Sequence, residues 1–492
     1  MSAPGNGLAS IAARGAAVTV LGQLAKFAIQ FGGIILLARL LFPEDFGLVA
    51  MVAAILGIAE VLRDFGLSAA AIQAKNLTDG QRTNLFWINT SIGFALSVLA
   101  YLCAPLIASL YGDPRLVSVA QALSVTFLVN GAITQFRANL SRQMKFGRLA
   151  IVDIAAQGMG LLSAIFFAIE GAGYWSLVAQ QIVQSVVTLV SAAALGRWLP
   201  ALPRRNEEMR GLLSFGWNLM GTQLLQYASK NIDSVIVGHQ FGATWLGFYN
   251  RAAQVVNGPL NQINVPATTV ALPILSRLQD DADRYDRFIV RGQTALMTLV
   301  VGGFLFAAAE SSAVIEVLLG PTWTDAAEIF MWIAIGAAFQ GAGYATYWVF
   351  LSKGITGSML RYSIVARTLS ISLLVVGAFF GVEGVAVAYA MGIALSWPLG
   401  MVWIKRASDA PVGKLFRNGL RTLLVYSFAA ATARFTAQWM DIGSFGELAV
   451  GAAAMIAVCL LVASVYAPYR RDLLAIGELG KLLAKRGSSS AK

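Results

Sequence analysis

The chain has 492 residues, 57% of them apolar and only 12% charged, with a mean hydropathy of +0.68. Soluble domains carry about twice that share of charge, so the composition excludes an ordinary water-soluble enzyme, a disordered chain, a coiled coil and a disulfide scaffold. A net charge of +11 fits the cationic cytoplasmic loops of a membrane protein better than a nucleic-acid surface, so no nucleic-acid partner is expected. Cys103 and Cys459 sit in separate apolar runs and His239 is the single histidine, which leaves no basis for a disulfide or a metal site.

Breaks at charged, Pro-rich and Gly-rich positions divide the sequence into fourteen apolar runs. They lie near 15–40, 46–68, 84–110, 116–136, 149–169, 173–196, 212–238, 245–272, 292–318, 326–351, 360–380, 384–404, 418–438 and 445–467. Each is long enough to cross a bilayer, and the absence of water there predicts helices. The expected fold is an all-α polytopic membrane protein of about 14 transmembrane helices. The first run contains Lys26 and is too long for a signal peptide.

Lysines and arginines give the orientation. Of 36, 28 fall on the side that holds both termini, three (Arg39, Arg115 and Arg434) on the opposite side, and five (Lys26, Arg63, Lys230, Arg251 and Arg367) within spans. Such a split predicts a membrane protein with both termini cytoplasmic. No loop is long enough for a soluble domain, and no GxxxxGK[ST] loop for ATP is present. The expected organisation is an N-terminal six-helix lobe (1–200), a cytoplasmic linker (201–211), a second six-helix lobe (212–406), two additional helices (407–468) and a basic tail (469–492).

The two lobes carry an internal repeat at an offset near 200. Phe42-Pro-Glu-Asp-Phe-Gly47 follows the first span, and Phe241-Gly-Ala-Thr-Trp-Leu-Gly247 follows the seventh. Gly173-Tyr-Trp-Ser opens span 6 and Gly384-Val-Ala-Val opens span 12. In the first helix of each lobe Gln23, Lys26 and Gln30 are matched by Gln223, Gln226 and Lys230, each trio on one helix face. Six plus six helices of equal topology make a parallel repeat, a transporter architecture with its site expected between the halves.

Polar residues within the spans are the candidate site. In span 8, Asn250, Gln254, Asn257, Asn261, Asn264 and Thr268 recur at intervals of 4, 3, 4, 3, 4. A stripe of amides facing lipid would leave donors and acceptors unpaired at about 2–7 kcal/mol each, so it must meet protein or water. A helix–helix seam and the wall of a hydrated cavity are both open, and the length of the stripe favours the wall. Amides there would suit sugar hydroxyls, since each offers donors and acceptors.

Lys26, Lys230 and Arg251 are intramembrane cations that should face a cavity or a partner. Asp233 is placed to pair with Lys230, whereas Lys26 has no acidic neighbour on its own helix and is the better candidate for meeting an anion. Arg63 is expected to be interfacial or paired with Asp64 or Glu60. Acidic residues in the spans could bind H⁺ or Na⁺; Asp153, with Gln157 one turn on, and Asp233 are the candidates for ion coupling. Trp175, Trp217, Trp245, Trp323 and Trp403 lie near span ends, where aromatic belts form.

Taken in order, Ala38-Arg-Leu-Leu-Phe-Pro-Glu-Asp-Phe-Gly-Leu48, Arg63-Asp-Phe-Gly-Leu-Ser-Ala-Ala70, Arg142-Gln-Met-Lys-Phe146, Ser214-Phe-Gly216, Asp233 followed by Gly238, Gly247-Phe-Tyr249 and Pro273-Ile-Leu-Ser276 carry a family pattern over about residues 10–406. The sequence resembles the polysaccharide transporters of the multidrug/oligosaccharidyl-lipid/polysaccharide exporter superfamily, the Wzx-type flippases, and within them the colanic-acid and succinoglycan-like subgroup. The resemblance implies two lobes around a cationic cavity lined by spans 1 and 7. It also implies an undecaprenyl-diphosphate-linked oligosaccharide as substrate, turned across the inner membrane by alternating access for exopolysaccharide or lipopolysaccharide biosynthesis. Only the idea of cavity cations carries over to residues, at Lys26, Lys230 and Arg251.

Such a substrate has a lipid tail, a diphosphate for cations and hydroxyls for amides. It needs no covalent chemistry, so no enzyme activity and no cofactor beyond H⁺ or Na⁺ are expected. Expected partners are membrane lipids, a polysaccharide polymerase and chain-length machinery. The competing reading is a cation-coupled drug or metabolite antiporter of the same superfamily, which predicts an acidic, aromatic cavity with fewer cations.

Overall fold

Long apolar runs in this chain fold as helices because a helix satisfies its own backbone hydrogen bonds within one segment. A computed structural model describes residues 5–74, 77–204, 207–439 and 442–474, with side chains from Leu21 onward except at ten positions between 215 and 230. In chain order the α-helices are α1 (Gly5–Leu40), α2 (Pro43–Asp64), α3 (Leu67–Gln73), α4 (Asp79–Tyr111), α5 (Arg115–Arg142), α6 (Phe146–Ile169) and α7 (Trp175–Gly196). They continue with α8 (Arg210–Arg277), α9 (Ala282–Ala309), α10 (Ser311–Leu318), α11 (Ala326–Ser352), α12 (Thr356–Gly377), α13 (Gly381–Ala407), α14 (Val412–Gln438) and α15 (Gly443–Val465). Ten segments among the described residues are long and apolar enough to span a membrane, so this is an all-α, multi-pass membrane protein.

Local chemistry sets the boundaries. Pro43 opens α2, where its missing N–H costs nothing, and the Phe42 N–H donates to Asp45 Oδ2 at 3.0 Å. A capping box starts α4: the Gln81 N–H donates to Thr78 Oγ1 at 3.0 Å, and the Thr78 N–H donates to Gln81 Oε1 at 3.1 Å. The 68-residue α8 is two helices meeting at Gly242, whose φ of 83° and ψ of −177° are open only to a residue without Cβ. The break separates the expected seventh and eighth spans.

Contacts divide the chain into two compact units, Met1–Asn250 and Arg251–Lys492. In the first, α4 packs on α5, α6 on α7 and α1, and α5 on α7 and α2. In the second, α13 packs on α11 and α12, α9 on α11 and α14, and α15 on α14 and α10. The last two helices are joined to this unit by polar groups as well. Asn418 donates to Gln293 and Thr294, and Arg421 pairs with Asp472.

Residues 198–204, 207 and 208, which contain most of the expected linker, lie within the first unit and are tied along the start of α4. The Arg82 guanidinium stands 4.3 Å from the Trp198 ring centroid. Trp87 Nε1 donates to the Ala201 carbonyl at 2.8 Å, and the Asn84 side chain both donates to and accepts from the Arg204 backbone. The Thr78 hydroxyl donates to Glu207 and the Gln81 amide to the Glu208 carbonyl. Trp323 departs from the expected belt. It is fully buried, whereas Trp175, Trp217 and Trp245 are exposed.

Candidate functional site

In the first unit, α1, α2, α5, α6 and α7 enclose a polar cavity of about 520 Å³. Lys26 comes from α1, Glu60, Arg63 and Asp64 from α2, Arg137 from α5, Asp153 and Gln157 from α6, and Gln184 and Thr188 from α7. A three- or four-residue spacing keeps Glu60, Arg63 and Asp64 on one face of α2, and Asn130, Thr134 and Arg137 on one face of α5. Apolar packing on the other faces of α2 and α5 turns these residues inward.

The charges are equal in number but unequal in engagement. Arg63, nearly buried, gives two hydrogen bonds to the Glu60 carboxylate, at 3.0 and 2.8 Å. Its remaining arm donates to the Asn130 carbonyl at 2.9 Å and to Thr134 Oγ1 at 2.6 Å. The guanidinium is thereby committed to protein. Among the described residues Arg137 pairs with Asp153 alone, at 2.5 Å to Oδ1, and both side chains keep part of their surface open to the cavity. Asp64 accepts from the Ser68 hydroxyl at 2.9 Å, and Gln184 donates to Gln157 at 3.3 Å. Lys26 has no hydrogen-bond or ion-pair partner among the described residues. An arriving anion therefore finds one free ammonium and one guanidinium with spare donors, which is the chemistry of phosphate recognition.

The expected site residues are distributed unevenly. Lys26, Asp153 and Gln157 come together in this cavity. Gln23 and Gln30 lie on α1 with exposed side chains, Gln223 is half-buried on α8, and the side chains of Gln226 and Lys230 lie outside the described residues. Asp233 accepts from the Tyr249 hydroxyl at 2.8 Å and from the Ser234 N–H at 2.8 Å, so its carboxylate has a defined set of donors.

The span-8 stripe does not share one environment. Asn250 and Asn257 are half-buried and Gln254 and Asn261 exposed, while the intervening Val255, Val256 and Leu260 are buried. Arg251 donates to Gln254 at 2.8 Å. Farther along, Asn264 is fully buried beside Tyr344, and Thr268 accepts from Trp348 Nε1 at 3.0 Å. The stripe thus ends as a seam against α11 and begins as an open polar surface.

Arg137 is the cavity residue that the apolar pattern misses. Hydropathy ends the fourth span near 136, yet α5 runs on to Arg142. The added turns carry Arg137 into contact with Asp153, 16 residues away across the turn to α6.

The family model described as "Polysaccharide biosynthesis protein" matches residues 36–328, more than half of the chain. The chain belongs to that family. Among curated relatives, the teichuronic acid biosynthesis protein TuaB of Bacillus subtilis is 29% identical over 60% of this chain and 62% of its own length. The lipopolysaccharide biosynthesis protein WzxC of Escherichia coli is 24% identical over 69% of this chain and 70% of its own. The succinoglycan biosynthesis transport protein ExoT of Rhizobium meliloti is 23% identical over 67% of this chain and 65% of its own. The matched region thus spans about two thirds of these relatives. Among solved structures, the lipid II flippase MurJ in an inward closed conformation superposes with a TM-score of 0.73 at 13% identity, covering 93% of this chain and 99% of that one. An inward-facing multidrug-resistance MATE family transporter gives 0.60 at 14% identity, covering 80% and 96%. These likenesses establish the fold.

Proposed function

We propose that this protein is a flippase that moves lipid-diphosphate-linked oligosaccharide repeat units across the bacterial inner membrane by alternating access, for exopolysaccharide or lipopolysaccharide biosynthesis. The observation that carries the reading is the polar cavity of the first unit, where among the described residues Lys26 has no partner and Arg137 has one. A diphosphate fits those donors, and the neighbouring Gln157, Gln184 and Thr188 suit hydroxyls. The membership of a polysaccharide biosynthesis family and the named roles of TuaB, WzxC and ExoT support the substrate class.

Three cations against three carboxylates leave the cavity without net charge, whereas a diphosphate brings negative charge into it. Entry of the anion favours a partner exchange in which Arg137 turns from Asp153 to phosphate and Asp153 takes up H⁺ or Na⁺. Asp233 is the second candidate for coupling. The 28-to-3 distribution of lysine and arginine supports cytoplasmic termini. Transport of this kind makes and breaks no covalent bond in the substrate. A polymerase and chain-length machinery would then receive the translocated unit.

The test is a strain lacking this gene and any second flippase. Lipid-linked repeat units should accumulate on the cytoplasmic leaflet, measured by their protection from an external glycosidase in intact spheroplasts. Normal exopolysaccharide with no such accumulation overturns the reading.

A further inference from the structure

At one end of α12 and α13 lies a second pocket, remote in sequence from the cavity residues. It has a volume of about 460 Å³ and is lined by Ile355, Ser358, Arg361, Trp403, Arg406 and Ala407. These residues come from the turn before α12, its first two turns, and the last turn of α13. Both helices belong to the membrane-spanning segment Thr356–Ala407, so the pocket stands at a membrane–water boundary.

Its chemistry is that of an anion site with an oily edge. Arg361 and Arg406 are exposed and have no hydrogen-bond or ion-pair partner among the described residues. Trp403 Nε1 donates to Ser358 Oγ at 3.0 Å, which fixes the serine oxygen and leaves its own proton free to donate outward. The amino end of α12 has no side-chain cap, so first-turn N–H groups add positive potential. Tyr362 packs on Trp403 and Phe350 and so backs the Trp403 ring. One turn farther into the membrane, Ile364 on α12 and Val402 on α13 are exposed apolar side chains.

We infer that this pocket binds the phosphate headgroup of an anionic glycerophospholipid, with the acyl chains lying along Ile364 and Val402. Two forked guanidiniums, a hydroxyl and an uncapped helix start match a phosphodiester. The exposed aliphatic side chains beside them decide for a lipid over a soluble anion, which would leave that surface unmatched. Basic pockets between membrane helices recognise acidic headgroups in this way. The inference requires only that α12 and α13 span the membrane, and it stands or falls apart from the substrate of the cavity.

Trp403 supplies the readout. The purified full chain and a Trp403→Phe variant are titrated in detergent with phosphatidylglycerol or phosphatidylcholine carrying brominated acyl chains. The difference between their fluorescence curves isolates Trp403. Phosphatidylglycerol should quench at about tenfold to thirtyfold lower mole fraction than phosphatidylcholine, since two arginines near a surface contribute about 1 kcal/mol each. The Arg361→Ala, Arg406→Ala double variant should lose that preference and keep the phosphatidylcholine curve. Inorganic phosphate at matched concentration should not compete. Equal curves for the two lipids in the wild type, or a preference that survives in the double variant, overturns the inference. Competition by inorganic phosphate as strong as by lipid assigns the pocket to a free anion and overturns it equally. If the double variant does not fold, the wild-type preference must still shrink as sodium chloride is raised, and a salt-independent preference is disproof.

Discussion

Gly47 meets the carbonyl of Ala243 so closely that a Cβ on Gly47 would stand 1.7 Å from that oxygen. The relation is reciprocal: a Cβ on Gly247 would stand 1.8 Å from the Pro43 carbonyl. Positions 43 and 243, and 47 and 247, differ by the offset of the sequence repeat. A contact in which one segment meets its counterpart and is met by it in the same way is the mark of a local two-fold relation. The two repeated motifs therefore pack backbone to backbone, and glycine is required at both crossing points because any side chain would lie inside a carbonyl oxygen.

The expected result of Gly47→Ala or Gly247→Ala is loss of about 1–3 kcal/mol or more through overpacking, since the clash is with backbone and no side chain can turn away. The double variant should lose less than the sum of the singles, because either substitution already separates the same contact. Thermal unfolding midpoints of the three purified variants check this. Strict additivity would mean that the two crossings are independent.

The cavity cations separate into two kinds. Lys26→Ala should weaken substrate binding about 10- to 100-fold, the worth of one charge-assisted hydrogen bond, with protein level near normal and Lys26→Arg milder. Arg63→Ala should instead lower the amount of folded protein. It leaves Glu60 without its partner, and breaking a buried pair typically costs about 3–5 kcal/mol, less here because Glu60 is partly exposed. Export and membrane abundance measured side by side decide. Equal behaviour of the two variants would erase the distinction.

Much of this fold is legible in apolar run lengths, since every expected span falls on helical segments, the second and ninth on two α-helices each. What escapes is what hydropathy does not weigh. The ninth run, near 292–318, begins ten residues after α9 does, because Asp281 caps a charged first turn: its carboxylate accepts from the Arg284 N–H at 3.1 Å. The same run hides the break at Glu310 between α9 and α10. Lys26 and Asp153 are visible as charges in apolar surroundings. The joining of Arg137 to Asp153 and of Arg63 to Asn130 and Thr134 depends on how α5 packs against α6 and α2, which no local pattern contains.

Outside the spans, Asp409 accepts from Lys353 Nζ at 2.9 Å, and that hydrogen bond holds its carboxyl below the ordinary aspartate range. A carboxyl with a lowered folded-state pKa contributes stability that is present above the unfolded value, near 3.9, and is lost as pH falls through the folded value. Lys353→Met should raise the Asp409 titration toward the ordinary range and flatten this part of the acid limb. Carboxyl titration by NMR on selectively labelled protein checks it. The effect on overall stability should be small because Asp409 is largely exposed.

The last prediction concerns the span-8 stripe, whose residues share a helix face but not an environment. In a background with Cys103 and Cys459 replaced, cysteines at Gln254 and Asn261 should react with a membrane-impermeant thiol reagent. Cysteines at Val256, Leu260 and Asn264, all buried, should not. The contrast between Asn261 and Asn264 is the decisive one, since the two lie three residues apart with identical side chains. Reaction at Asn261 alone means that water reaches the stripe up to this point and that the seam with Tyr344 begins beyond it. Protection at both would make the whole stripe a packed amide seam, and reaction at both would carry the water past Asn264. Where Asn261 is wet, Asn261→Ala should alter which repeat unit is accepted by only about tenfold or less, because a neutral amide offers hydrogen bonds of about 1 kcal/mol each. Export assayed with two repeat units that differ in one sugar measures it, and an equal loss for both units would assign the amide to the fold.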